Sequence, residues 1–297
     1  MGVTEQLKTN GIEFKENEPM CNHTTFKIGG PCDIFIEPKN TEELKFAIET
    51  VKNDMPFKII GNGSNLLVAD LGIEGAVIKI GQKMSEVHTK EQKIYAASGA
   101  RLSSVCAEAL EEGLGGMQYL WGIPGTIGGA VYMNAGAYGG EIASVITSAT
   151  YLTDDGKTVN ISKEEMDFSY RHSIFKENGG IILSAEFTLQ PQDKTQLRLE
   201  MDELILRRKT KQPLEYPSAG SVFKRPEGHF AGELIEKCGL KGYSIGGAMV
   251  SEKHAGFIIN TGDATASDVR RLIEYIKEKV FLTESVKLES EIIFMGR

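Results

Sequence analysis

The sequence predicts a mixed α+β protein of about two domains, and three observations carry that prediction. Short apolar or alternating runs of strand character recur through the chain, separated by amphipathic helices with recognisable caps. At 297 residues the chain can bury a large core and still divide in two. The stretch 121–140, WGIPGTIGGAVYMNAGAYGG, interrupts the periodic pattern with seven glycines among its twenty residues. Glycine at that density loses chain entropy on folding, a loss tolerated where the backbone needs positive φ or must approach a ligand closely. Bare N–H groups in such a loop can form a nest for an anion such as a pyrophosphate. A tight crossover between packed elements is the plainer reading.

Composition excludes several classes. Hydrophobic content of 41% and charged content of 25% are ordinary for a globular protein. A net charge of -8 and a pI near 5.3 argue against a nucleic-acid binder, which would carry a basic face. No apolar run reaches the ~18 residues of a membrane span. The N-terminus, MGVTEQLKTNGIEF, has no apolar core of a signal peptide, so a cytoplasmic location is expected. Cys21, Cys32, Cys106 and Cys238 form no C-x-x-C pair and are expected as free thiols. The five histidines lack metal-ligand spacing, so no metal site is expected.

Taken in order, residues 1–20 read as a short helix followed by a polar connector. The turn Gly29-Gly30-Pro31 leads into an alternating strand at 32–37. Residues 40–52 read as a helix, with Asn40 as cap, Glu43 at its third position, and Leu44, Ala47, Ile48 and Val51 on one stripe. A buried strand at 57–60 runs straight into Gly61-Asn62-Gly63-Ser64-Asn65, a common place to hold phosphates, although a plain turn fits equally well. The loop is not a dinucleotide fingerprint, because Leu66 stands at the third glycine position and 66–68 continues as strand. Nor is it a Walker A loop, since no Gly-Lys-Ser/Thr follows. Strands are expected at 77–80 and 94–97. A helix then starts at Ser103 or Ser104 and stops at Gly113, with Cys106 on its apolar stripe as a core residue.

Past the glycine-rich stretch, a strand at 146–153 turns at Asp154-Asp155-Gly156 and pairs with 158–161. Ser162 and Glu165 make a capping box for a short helix. That helix ends at Ser169-Tyr170-Arg171-His172-Ser173, where an arginine sits among aromatic and hydroxyl groups. A strand at 181–189 closes this half, and 190–194 is the expected boundary. The helix 195–211 ends in Arg207-Arg208-Lys209-Thr210-Lys211, a basic run that either complements the helix dipole or draws an anionic substrate. Ser221 is a turn residue or a functional hydroxyl, and it does not fit the G-x-S-x-G elbow. A helix through Ala231, Leu234, Ile235 and Cys238 ends at Gly239, and a strand follows at 255–260. The clearest helix is 265–279, with a box between Thr265 and Asp268. The last strand, 286–294, alternates so that Glu289 and Glu291 share a face, an arrangement that is usually solvent-facing.

Jointly, GNGSNLLV at 61–68, GIPGTIGGAVYMNAGAYG at 122–139, SYRHS at 169–173, AGSVFKRP at 219–226 and LESE at 288–291 resemble the FAD-dependent UDP-N-acetylenolpyruvoylglucosamine reductases, the MurB family. The motifs recur in that family's order from about Thr24 onward. The resemblance implies an FAD-binding domain of the vanillyl-alcohol-oxidase (p-cresol methylhydroxylase) type over residues 1–192, in two subdomains that meet near 80–90. A C-terminal α+β substrate-binding domain would occupy 193–297. FAD, held non-covalently, would lie with its pyrophosphate along Gly61, Asn62, Gly63, Ser64, Asn65 and Leu66. Its ring would lie against Gly122, Pro124, Gly125, Thr126, Gly128, Gly129, Ala130, Asn134, Gly136 and Ala137.

The resemblance also implies a reaction: UDP-N-acetylglucosamine enolpyruvate is reduced by NADPH to UDP-N-acetylmuramate, a step of peptidoglycan synthesis that serves cell wall biogenesis, cell shape and division. The chain would act as a cytoplasmic monomer. Hydride would pass from the flavin to C3 of the enolpyruvyl group, leaving charge on an enolate-like carboxylate that needs preorganised partners. The family pattern gives Arg171 and Glu291 the task of holding that carboxylate, with Glu291 protonated or bridged by water so as not to repel it. Ser221 matches the donor of the proton to C2, with Lys224 and Arg225 as nearby cations. Lys211 matches a lysine at the substrate diphosphate, and Tyr170, Lys224 and Arg225 are expected at the substrate. Arg225 stands where the family often has Asn. The interval 173–185 is too short for the tyrosine loop of one subgroup, so the chain resembles the other, and Tyr170 does not take that tyrosine's place. A flavin oxidase of the same fold acting on another substrate is the alternative.

Overall fold

A five-stranded antiparallel sheet frames the first of the two units into which the computed structural model, describing residues 2–297, divides. Its order is Thr158–Ser162, Ile146–Leu152, Ile181–Thr188, Lys93–Ala97, Val87–Lys90. This unit takes the residues up to Phe14, then Ile36–Asn62 and Val77–Arg207. The helix Leu102–Glu111 and the six-residue helix Ile127–Tyr132 share its core with Ile94, Leu120, Phe175 and Phe187, all fully buried. Cys106 lies in that core, where burial pushes its thiol up to about 12, so it is a packing residue. The hairpin turns at Gly156, φ 80°, as its Asp-Asp-Gly sequence predicts. Asn40 caps Thr41–Val51 by accepting from the Glu43 N–H at 2.8 Å. Ser162 and Glu165 form their capping box, on a 3-10 turn, Lys163–Met166.

The second unit takes Lys15–Phe35, Gly63–Ala76 and Arg208–Arg297. Its antiparallel sheet runs Ser218–Ser221, Phe257–Asn260, Ala248–Val250, Ser244–Ile245. The helices Ala231–Lys237 and Ala266–Glu284 join it in a core that includes Val222, Ile235, Ile258, Val269, Ile273 and Ile276. Leu66–Val68 is indeed strand and pairs in parallel with Ile293–Met295. The Thr265–Asp268 box is present, and Asp70 adds acceptors for the Ala266 and Ser267 N–H groups, so the first turn of that helix is fully capped.

Five expectations need correction. The polar connector is the strand Phe14–Pro19, which buries none of its residues fully and so shows no apolar alternation. Phe57–Ile60 is a strand of which only Ile60 is buried. The helix expected from Ser103 begins at Leu102, with no side-chain cap. The clearest helix runs on to Glu284, because no breaker precedes Ser285, which ends it at φ 57°. The last strand shrinks to Ile293–Met295. Before it, the backbone of 289–291 bonds to 222–224 instead. Glu289 is exposed and ion-paired, while Glu291 is partly buried, so the two carboxylates do not share one environment. Among the described residues no helix is long and apolar enough to cross a membrane, and no cluster of His, Cys, Asp and Glu could hold a metal.

Candidate active site

In the first unit the site is built around a four-residue turn, Ser169 to His172. The Ser169 N–H donates to the His172 carbonyl at 3.3 Å, and the His172 N–H returns to the Ser169 carbonyl at 3.1 Å. Tyr170 and Arg171 are the central residues, and Arg171 sits at φ 57°, a position that such turns normally give to glycine or asparagine. An arginine persists there only if its surroundings over-determine it, and they do. Asn134, with no solvent exposure, donates its amide to the Ser169 carbonyl at 3.0 Å and accepts the Ala143 N–H at 3.0 Å. Ser173, also fully buried, donates to the Tyr132 carbonyl at 2.8 Å. Lys176 donates to the Arg171 carbonyl at 2.7 Å. The Arg171 guanidinium reaches the Gly136 carbonyl at 3.4 Å and lies 5.1 Å from the Tyr170 ring centre.

The glycine-rich stretch folds as a turn, the short helix Ile127–Tyr132, and a tight pairing of Gly136–Ala137 with Gly140–Glu141. Gly128 is glycine because a Cβ there would sit 3.0 Å from the Ser98 Cβ. At Gly61 a Cβ would collide with the Thr126 hydroxyl. Both hydroxyls, on Ser98 and Thr126, are buried without a hydrogen-bond partner in the protein. Buried hydroxyls are normally satisfied, so two orphans beside two glycines mark a place prepared for a polar guest. Asn62 braces this region by donating to the Pro124 carbonyl at 2.6 Å.

In the second unit the structure brings Ser221 and Glu291 together. Ser221 ends the strand Ser218–Ser221, whose pairing slips between those two residues, with Gly220 at φ 78°. Such a bulge re-aims the side chain that follows it. Val222 then donates its N–H to the Gly256 carbonyl at 2.9 Å and accepts the Glu291 N–H at 2.7 Å. The Ser221 hydroxyl donates to the Phe223 carbonyl at 3.2 Å. Asn65 donates its amide to the Glu291 carbonyl at 3.1 Å, and its own carbonyl accepts the Ile293 N–H at 2.9 Å. Gly63, at φ 65°, has no room for a side chain, which would strike the His23 carbonyl. The Gly63–Asn65 loop is therefore wired directly to the segment that carries Glu291.

The expected cations take different positions. Lys211 is the last residue of the helix Lys194–Lys211. Lys224 pairs with Glu289 at 3.1 Å on the surface, and the Arg225 guanidinium lies 4.6 Å from the Phe230 ring centre. Ser98 was not visible from sequence, because a single serine at a strand end carries no motif. Asn134, expected as a cofactor contact, bonds through its side chain to the Ser169 carbonyl and the Ala143 N–H.

Comparison with known proteins agrees with this architecture. Residues 32–162 match the model of an FAD binding domain, and residues 212–295 match the C-terminal domain of UDP-N-acetylenolpyruvoylglucosamine reductase. A UDP-N-acetylenolpyruvoylglucosamine reductase of Agathobacter rectalis is 50% identical, over 99% of this chain and 97% of that one. The crystal structure of the corresponding enzyme from Thermus caldophilus superposes with a TM-score of 0.83 at 35% identity, over 96% of this chain and 99% of that one. The glucooligosaccharide oxidase of Acremonium strictum shares the fold alone, with a TM-score of 0.51 at 15% identity over 97% of this chain and 59% of that one.

Proposed function

This chain belongs to the UDP-N-acetylenolpyruvoylglucosamine reductase family, FAD-dependent oxidoreductases, and we propose that it reduces UDP-N-acetylglucosamine enolpyruvate to UDP-N-acetylmuramate with NADPH, as a monomer in the cytoplasm. Residues 1–192 would serve the cofactor and 193–297 the substrate. The observation that carries the reading is the backbone clamp that holds Ser221 and Glu291 on adjoining segments.

FAD fits the residues present. The unpartnered hydroxyls of Ser98 and Thr126, beside Gly61 and Gly128, are donors suited to phosphate or carbonyl oxygens. Asn62, Gly63, Ser64, Asn65 and the backbone of 122–137 would hold the remainder. Held there, FAD would supply the redox chemistry, the transfer of hydride between NADPH and C3 of the enolpyruvyl double bond.

The protein's own residues do the rest. The Arg171 guanidinium, fixed by its over-determined turn, offers a fork of donors to the enolpyruvyl carboxylate, where charge builds. Glu291 helps to hold the same carboxylate. Ser221 gives its hydroxyl proton to C2, and the bulge at Gly220 sets the direction of that hydroxyl. Lys211 would meet the substrate diphosphate, and Tyr170, Lys224 and Arg225 would contact the rest of the substrate.

The test is spectroscopic. The purified protein should show flavin bands near ~450 nm that bleach on anaerobic addition of NADPH and return when the enolpyruvyl sugar nucleotide is added. Bleaching without return would assign a different substrate. Absence of flavin bands after reconstitution with FAD would overturn the mechanism.

A further inference from the structure

His254 stands at the tip of the hairpin that joins Ala248–Val250 to Phe257–Asn260. Its ring is turned back onto the sheet. The Gly256 N–H donates to Nδ1 at 3.1 Å, so that nitrogen carries no proton and the imidazole is neutral. The ring meets Phe257 edge-on, with centres 5.0 Å apart. Two glycines make room for it. A Cβ at Gly256 would lie 3.0 Å from the ring's Cε1, and one at Gly232 would lie 3.2 Å from the same atom. Neither glycine has φ in the left-handed region, so the tightness at both positions comes chiefly from the ring and not from the glycines' own backbone conformation.

The same Gly256 lies beside the proposed proton donor. Its missing Cβ would lie 3.7 Å from the Ser221 Oγ, and its carbonyl accepts the Val222 N–H at 2.9 Å. A short relay results: imidazole Nδ1 to the Gly256 N–H, then the Gly256 carbonyl to the Val222 N–H, one bond from Ser221. Val222 in turn accepts from Glu291. We propose that His254 is a positioning residue for Ser221, its unprotonated imidazole fixing the glycine on which the end of the Ser221 strand is hung.

This makes the alignment of Ser221 sensitive to protonation, since an imidazolium has no lone pair for the Gly256 N–H. Burial, the leading influence, holds the His254 pKa below the usual histidine value of 6.5. Lys241 and Lys211 also oppose a further positive charge there, while Glu236, itself paired with Lys241 at 2.6 Å, favours one. The ring also meets Phe257 and Gly232, the Ser251 hydroxyl accepts the His254 N–H at 3.2 Å, and the adjacent Lys253 pairs with Glu215 at 3.3 Å. The relay therefore stays intact at neutral pH and breaks as pH falls through that lowered value.

The proposal rests on Ser221 as proton donor, and stopped-flow kinetics over a pH range test the two separately. His254→Ala should leave flavin reduction by NADPH near wild type while slowing reoxidation by the enolpyruvyl substrate on the order of 10- to 100-fold, the scale of a misplaced reacting group. His254→Asn, whose Oδ1 can accept from Gly256, should recover most of that rate. In the wild type the reoxidation rate should fall at acid pH, and His254→Asn should lose that acid limb because Asn does not titrate. An alanine variant reoxidising at the wild-type rate, or an asparagine variant keeping the acid limb, overturns the proposal. The second readout stands even if the alanine variant fails to fold. Ser221→Ala measured alongside separates the causes. Slow reoxidation there with normal His254 variants removes only His254, whereas normal reoxidation there removes the role of Ser221 and this proposal together.

Discussion

Replacing Asn134 by alanine should damage the substrate half-reaction through a turn that the side chain supports from beneath. The substitution strands the Ala143 N–H and takes one of two donors from the Ser169 carbonyl, which keeps the His172 N–H. About 1–3 kcal/mol for the stranded N–H and about 1 kcal/mol for the second bond give about 2–4 kcal/mol of lost stability. For a unit of this size that corresponds to a fall in Tm of roughly 5–10 °C. Freed of its brace, Arg171 would leave φ 57°, which costs a non-glycine residue about 1–2 kcal/mol. A displacement of about 1 Å in the guanidinium would slow reoxidation by the enolpyruvyl substrate on the order of 100-fold. Flavin content and reduction by NADPH should stay near wild type, since the amide is already committed to Ser169 and Ala143. Asn134→Asp should do no better, because it places a carboxylate oxygen against the Ser169 carbonyl. Thermal melts, the 450 nm absorbance and stopped-flow traces read all of this. An unchanged Tm with loss of flavin would refute the reasoning and make Asn134 a direct cofactor contact.

Thr126→Val removes a hydroxyl that has no partner in the protein, so the flavin-free form should be as stable as wild type or more so, while FAD affinity drops about 10- to 100-fold, measured by titration of the apoprotein. Gly63→Ala should yield colourless, poorly folded protein, because the position combines φ 65° with a collision at the His23 carbonyl. Gly113→Ala, at a similar φ of 67° but only 3.2 Å from the Gln192 carbonyl, should be much milder in the same absorbance assay. Asp268→Asn tests a pH effect. Burial alone would raise the Asp268 carboxyl, but hydrogen bonds from Thr265 and Arg271 outweigh it and hold the pKa below its ordinary value of 3.8. Its stabilising contribution is thus present above about pH 4 and lost as pH falls through the lowered folded value. Acid titration of far-UV circular dichroism should show a shallower loss of stability in the variant.

Much of the fold could be read in the sequence wherever a local rule decided the outcome. Asn40, the Ser162–Glu165 pair and the Thr265–Asp268 box act within one turn of chain, and all three cap as read. The helix Ile127–Tyr132 was hidden because two of its six residues are glycines, which propensity counts against; close packing on Ser98 outweighs that preference. The strands Val87–Lys90, Ser244–Ile245 and Ala248–Val250 are too short to establish a period. The site divides in the same way. Ser221 and Glu291 stood out through motifs that resemble a family, but the bond linking Val222 to Glu291 joins residues 69 positions apart, 291 − 222. Asn134 reaches Ser169 across 35 positions and Ser98 meets Gly128 across 30, while His254 bonds within its own loop to Gly256; no local sequence rule marks any of the three.

The parallel pairing of Leu66 with Ile293 has a consequence for how the chain is made. These partners are separated by 293 − 66, or 227, residues. At ribosomal speeds of about 5–20 residues per second, Leu66–Val68 waits roughly 10–45 seconds for the strand it pairs with. Throughout that interval a fully apolar strand, with the Gly63–Asn65 loop beside it, lacks its strand partner. The first unit's five-stranded sheet lies entirely between residues 87 and 188, so it can be complete long before. A nascent chain stalled between Arg207 and Ile293 would therefore carry one finished half and one exposed strand, and would be a natural client for chaperones.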